Sequence, residues 1–131
     1  MAPRTLAALA LVAAGCSYGQ TAPKFIAAYG PHGVTARIVT VQGEDLSGEL
    51  LAVEDAGLLI ERQNALTRVA YAAIREARFE RSGRSFGRGG PSPTELAALR
   101  LRSRYPQGVS EDLLRTLLAA HGQQAVKEVG P

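Results

Sequence analysis

The sequence contains a single cysteine, Cys16, so no disulfide can form within the chain and packing alone must hold the fold together. Its two histidines, His32 and His121, lie in different segments, and no cluster of His, Cys and carboxylate residues has the spacing of a metal site. Ser47 and Ser110 occupy turn and helix-cap contexts, and no glycine-rich phosphate loop is present. We therefore expect no catalytic residue, no metal, no other cofactor and no small-molecule substrate.

Long apolar runs are also lacking, apart from one near the N-terminus. Residues 6–14 form an apolar stretch behind a short segment with one charge, Arg4, which is typical of a secretory signal and too short to span a bilayer permanently. No second apolar run of this kind follows, so we expect no transmembrane helix in the rest of the chain.

The residues Ala13-Ala14-Gly15-Cys16 resemble the end of a bacterial lipoprotein signal, although Ala13 stands where leucine or valine is usual. The resemblance implies removal of residues 1–15 and acylation of Cys16, and hence a lipid-anchored protein of the bacterial cell envelope. Ser17 resembles the pattern of outer-membrane lipoproteins that face the periplasm. The alternative is an ordinary signal peptide that happens to contain a cysteine.

Positive charge comes almost wholly from arginine, since the chain has only two lysines, and it is unevenly distributed. Residues 33–74 carry a net charge of −3, whereas residues 75–104 hold eight arginines against three glutamates. This bias reflects either genome composition or phosphate recognition.

Residues 33–80 show the pattern of five short strands linked by tight turns, rich in β-branched residues. Adjacent leucines in the middle strands, such as Leu58 and Leu59, point to opposite faces, which favours a bent sheet that is covered on both sides. We therefore predict an α+β protein built on a small, five-stranded, strongly bent antiparallel β-barrel. Before it, residues 16–32 are expected to form a tether, with a possible short helical turn around Phe25, Ile26 and Tyr29.

Residues 41–54 (Val-Gln-Gly-Glu-Asp-Leu-Ser-Gly-Glu-Leu-Leu-Ala-Val-Glu) resemble the first motif of Sm-like proteins. The resemblance implies a small bent barrel, and similar strand and turn patterns occur in SH3-like barrels. The RNA-contacting asparagine of the family would fall near Leu58, and its second motif appears here as Ile74-Arg75-Glu76-Ala77. The resemblance therefore extends to the fold and not to the RNA site.

Residues 81–92 are rich in Gly, Ser and Arg and are predicted to be a flexible linker. The tract resembles RGG-type segments, which contact nucleic acids through arginine and an interleaved aromatic, here Phe86. This resemblance suggests that arginines of the tract and next to it bind anions. The alternative is that the tract is a solvated basic linker. The candidate residues are Arg78, Arg81, Arg84 and Arg88.

Residues 93–122 are predicted to form a helical hairpin, followed by a tail at 123–131. Ser92 and Ser110 are the expected N-caps. An apolar stripe on the second helix must bury against the barrel, the partner helix or another subunit. The stripe consists of Leu113, Leu114, Leu117 and Leu118.

Taken together, these patterns favour a non-enzymatic envelope lipoprotein that acts as a structural or protein-interaction module. Its expected partners are the membrane, through the lipid on Cys16, and either another envelope protein or a second copy of the chain. The alternative is a protein that binds anions or nucleic acid through residues 75–104. Export makes nucleic acid the less favoured ligand.

Overall fold

A computed structural model of the chain describes residues 32–131. The predicted signal segment, Cys16 and most of the predicted tether lie outside the described residues. Among residues 32–131, no helix is long and apolar enough to cross a membrane.

Strands and helices segregate along the described chain, with most strands first and both α-helices after them. A 3₁₀ helix, Tyr71–Ala73, separates the fourth and fifth strands. The two α-helices are α1, Pro93–Arg102, and α2, Glu111–Ala120. The seven strands are β1 Thr35–Thr40, β2 Asp45–Val53, β3 Gly57–Arg62, β4 Ala65–Ala70, β5 Ile74–Phe79, β6 Arg84–Gly87 and β7 Lys127–Val129.

All seven strands form one open sheet in the order β6-β5-β1-β2-β3-β4-β7. Neighbours pair antiparallel, except that β7 runs parallel to β4. The α+β class is confirmed, and β1–β5 occupy the predicted places. A closed five-stranded barrel does not form, because β6 adds to the edge of β5 and β7 adds to the edge of β4.

Two corrections follow from these outer strands. Part of the segment predicted to be a flexible linker forms β6, because Phe86 provides an apolar anchor in the core and Gly83 permits the tight turn before the strand, with φ of 65°. Part of the predicted C-terminal tail forms β7, whose Val129 packs at the edge of the main core.

The sheet buries apolar side chains on both of its faces. The larger cluster, here called the main core, takes residues from β1–β6 and from α1. The smaller cluster lies on the opposite face and contains Leu51, Ala52, Leu59 and Leu66. The pairing of β2 with β3 shifts register between Leu50 and Ala52. This bulge places two consecutive residues, Leu51 and Ala52, on the same face, as the smaller cluster requires.

The two helices lie on opposite faces of the sheet. Leu96 and Leu99 of α1 pack in the main core, whereas Leu114, Leu117 and Leu118 of α2 pack on the smaller cluster. The predicted helical hairpin is therefore wrong in its packing. Each helix has its own apolar surface to cover, so the sheet separates the two helices.

The chain changes face at the bulged part of β2. The backbone N–H of Arg104 donates to the Leu50 carbonyl at 3.0 Å, and that of Tyr105 donates to the Leu51 carbonyl at 2.8 Å. Because β1 pairs with β2 only as far as Glu49, these carbonyls would otherwise lack a strand partner. The crossing segment, residues 103–109, supplies the missing donors.

The predicted helix starts are confirmed. Ser92 caps α1 by accepting from the N–H of Glu95, and Ser110 caps α2 by accepting from the N–H of Leu113, each at 3.2 Å. The first helix ends at Arg102.

Candidate functional site

The four candidate arginines do not form one surface. In the β5–β6 ladder Arg78 is opposite Ser85, and Arg84 is opposite Phe79. Since Phe79 points into the main core, Arg84 lies on that side, where it meets Glu95 of α1 at 3.4 Å, and Arg78 lies on the other side. The remaining two, Arg81 and Arg88, lie beyond opposite ends of β6.

Phe86, the aromatic residue of the arginine-rich tract, belongs to the main core. It is 9% exposed, and its ring centroid lies 5.9 Å from that of Phe79 and 5.8 Å from that of Tyr71. A ring packed in this way cannot stack on a nucleic-acid base. The aromatic ring that made the tract similar to RGG segments therefore packs in the core and stabilises the fold.

Ser85 occupies the centre of a Gly-Arg-Ser-Phe-Gly stretch, residues 83–87, which has the spacing of a nucleophile elbow. No stretch of this spacing was expected in the chain, and that expectation is wrong. An elbow requires a sharp turn between a strand and a helix, whereas Ser85 lies within β6 and faces Arg78 across the ladder. The local geometry is that of an exposed strand residue.

The leucine stripe of α2 is used within the chain. Three of the four predicted leucines, Leu114, Leu117 and Leu118, contact the smaller cluster, and Leu113 is half-buried beside them. None of the four is fully buried, because a single helix covers this face. The stripe therefore forms an interface with the sheet and not with α1.

Polar contacts around the end of α2 hold it to β3. The Nδ1 of His121 lies 2.7 Å from the Leu117 carbonyl oxygen, and its Nε2 lies 2.9 Å from Oε2 of Glu61. The hydrogen bond to Glu61 raises the pKa of His121, the bond to Leu117 adds to this, and burial and Arg104 oppose it. Sixty residues separate the two partners, so sequence spacing gave no signal of this pair.

Two further contacts hold the last residues to β4. Gln123 accepts from the Leu66 N–H at 2.7 Å and donates to the Leu66 carbonyl at 3.2 Å. Arg68 donates to Glu128 and to Glu54, at 2.7 Å and 2.6 Å, and these carboxylates raise its pKa. We refer to residues 111–131 as the C-terminal arm. It is held by side chains as well as by β7.

The face that carries the smaller cluster is covered only over β2–β4. Over β1, β5 and the start of β2 it forms a groove, which we call the open groove. Its two cations are each paired with a carboxylate, since Arg78 donates to Glu76 of the lining at 2.5 Å and Arg37 donates to Glu80, outside the lining, at 2.7 Å. The exposed and half-buried residues of its lining are Arg37, Val39, Asp45, Ser47, Glu76 and Arg78.

A second depression, which we call the N-terminal pocket, lies where the described chain begins. It is bounded by the start of β1, the β5–β6 turn and the end of α1, and Arg81 and Arg102 contribute its cations. Two backbone N–H groups fix its floor, since that of Val34 donates to the Arg102 carbonyl at 3.0 Å and that of Gly33 donates to the Glu49 carboxylate at 2.8 Å. Of the four candidate arginines, Arg81 alone lines it.

Within residues 32–131, no group of three His, Cys, Asp or Glu residues could hold a metal ion. Comparison of the chain with protein-family models, with curated proteins and with solved structures finds no match.

Proposed function

We propose that the chain is a non-enzymatic, lipid-anchored protein of the bacterial cell envelope that acts as a structural or protein-interaction module. The observation that carries this proposal is the segment ending in Ala13-Ala14-Gly15-Cys16, because acylation at such a cysteine fixes a protein to a membrane. Ser17 favours the outer membrane, with the domain facing the periplasm.

We further propose that β1–β5 form a strongly bent unit of the Sm-like or SH3-like kind within the larger sheet. The strand order β5-β1-β2-β3-β4 and the 3₁₀ helix between β4 and β5 support this proposal. The RNA site of the Sm family is not part of it. Leu58, at the position of the RNA-contacting asparagine, is fully buried in the main core, and Glu76 faces the open groove.

The open groove is the surface that we assign to protein contacts. Alternating cations and carboxylates suit a polar protein surface of complementary charge better than a polyanion, which the carboxylates of Glu76 and Asp45 would repel. The groove's partner is then either an envelope protein or a second copy of the chain.

Intact-mass analysis of the membrane fraction tests the anchor. We expect the wild-type mass to be that of residues 16–131 plus acyl chains, and the Cys16→Ala variant to lack the acyl chains. A full-length, unmodified mass in the soluble fraction would refute the proposal.

A photo-crosslinking amino acid placed at Ser47 tests the groove in cells. Ser47 is exposed within the groove, and Gln124 is an exposed control position on the C-terminal arm. We expect an adduct from position 47 that disappears when Arg78→Glu reverses one charge of the groove. Equal adducts from both positions would show that the groove is not the contact surface.

The alternative interpretation, an anion-binding protein, is supported at one place, the N-terminal pocket, where arginines of different elements meet. Nucleic acid is disfavoured as its ligand, because Phe86 is buried.

A further inference from the structure

The N-terminal pocket concentrates positive charge at one end of the sheet. Arg81 and Arg102 line it, and Arg37 and Arg104 lie next to it through their ion pairs. The acids in this region are two glutamates. Glu80 accepts from Arg37 at 2.7 Å, and Glu49 lies 3.6 Å from Arg104. Four arginines against two glutamates leave a net positive potential at the mouth of the pocket.

The elements around the pocket hold its cations in different ways. Arg81 is exposed at the tip of the β5–β6 turn, whereas Arg102 ends α1, which is fixed to the sheet by Leu99 and by the bond from Val34. Guanidinium groups from two different elements therefore line the pocket, and guanidinium N–H groups are strong donors to the oxygens of a phosphate group.

The pocket is also the part of the described chain closest in sequence to the proposed anchor. Fifteen residues, 17–31, separate Cys16 from His32, and they include Lys24 and no acidic residue. Even when fully extended, they span at most about 55 Å. A lipid on Cys16 would therefore keep the pocket near the membrane surface at high effective concentration.

We propose that the N-terminal pocket binds the phosphate groups of anionic phospholipids in the membrane that holds the lipid anchor. This inference rests on the proposed acylation of Cys16. The anchor supplies the attachment, and the pocket sets the orientation, with the β5–β6 turn and the end of α1 towards the membrane. The open groove remains accessible, because it lies on the face of the sheet rather than at this end.

Vesicle flotation of residues 16–131 carrying Cys16→Ser tests the pocket without the lipid. The probes are vesicles of phosphatidylcholine alone and of phosphatidylcholine mixed with phosphatidylglycerol. We expect binding to the anionic vesicles alone, weakened by salt. Arg81→Asn should lower the partition coefficient about fivefold, the usual effect of one basic residue near an anionic surface. Asparagine suits the left-handed backbone of this position, where φ is 60°.

Arg88→Asn is the matched control, because it removes the same charge beyond the other end of β6. Equal losses from both variants, or no binding to anionic vesicles, would overturn the proposal. The proposal would also be overturned if the protein bound inorganic phosphate in the pocket but did not bind the anionic vesicles. Because the tested protein carries no lipid, a negative flotation result says nothing about the proposed lipid anchor. The anchor is tested separately by the intact-mass measurement.

Discussion

Glu61→Gln probes the contact that joins the end of α2 to the sheet. Both ring nitrogens of His121 face acceptors, the Leu117 carbonyl and the Glu61 carboxylate. A neutral imidazole has a single N–H, so only the protonated ring can donate to both. Protonation of the ring therefore satisfies both contacts at once and is favoured by the Glu61 carboxylate, whereas the nearby cation Arg104 opposes it.

The sign of the pH dependence follows from the raised pKa of His121. The stabilisation from the pair is fully present below the pKa of the unfolded chain, about 6.5. It is lost as the pH rises through the higher pKa of the folded state. Hydrogen bonds to charged groups contribute about 1.5–3 kcal/mol, and the partial exposure of this pair reduces its contribution to about 1–1.5 kcal/mol. The side chains of His121 and Glu61 are 12% and 27% exposed.

Urea denaturation at about pH 5.5 and about pH 9 measures this difference as a change in the free energy of unfolding. We expect Glu61→Gln to destabilise the protein by about 1–1.5 kcal/mol at the lower pH and by less than about 0.5 kcal/mol at the higher pH. Glu44→Gln, at an exposed turn carboxylate, is the control and should have little effect at either pH. An equal loss from Glu61→Gln at both pH values would refute the imidazolium argument.

Three other substitutions have defined expectations. Phe86→Ala should cost about 3–5 kcal/mol in denaturant unfolding, as large core truncations do, and a value below about 1 kcal/mol would mean that the β5–β6 hairpin is not anchored in the core. Gln123→Ala should speed amide hydrogen exchange at Leu66, whose N–H and carbonyl it binds, while the Ile60 amide serves as reference. Gly48→Ala should destabilise strongly in thermal melts, because a Cβ there would lie 2.3 Å from the Glu61 carbonyl oxygen, and an unchanged Tm would contradict that close approach.

Local sequence signals predicted the local structure well. The five strands from 33 to 80, the turns between them and the caps at Ser92 and Ser110 depend on neighbouring residues, so periodicity and turn chemistry were enough. Gly122, the last residue of the predicted hairpin, has a left-handed φ of 66°, which suits the end of a helix.

Long-range pairing could not be predicted in this way. The pairing of β7 with β4 and the Glu61–His121 contact each join residues sixty positions apart. The division of the helices between the two faces depends on which apolar cluster each helix covers. Composition also gave a wrong prediction at residues 81–92, where the abundance of Gly, Ser and Arg indicated a flexible linker. One buried aromatic, Phe86, was enough to make a strand of part of that segment.

The N-terminal pocket could not be predicted from the sequence for the same reason. The sequence identified Arg81 but grouped it with its neighbours along the chain. In the structure it lines the same pocket as Arg102, which lies at the end of α1. A pocket formed by three separate elements has no signature in sequence spacing.

The position of β7 has a consequence for how the chain completes its fold. β4 pairs with β3 through a short hairpin, but its other edge pairs with residues 127–129, which lie some sixty positions further along the chain. Without β7, β4 would present an unpaired edge next to Leu59 and Leu66 of the smaller cluster. Such an edge is a template for association between chains. β7 therefore covers an edge of the sheet that would otherwise favour aggregation.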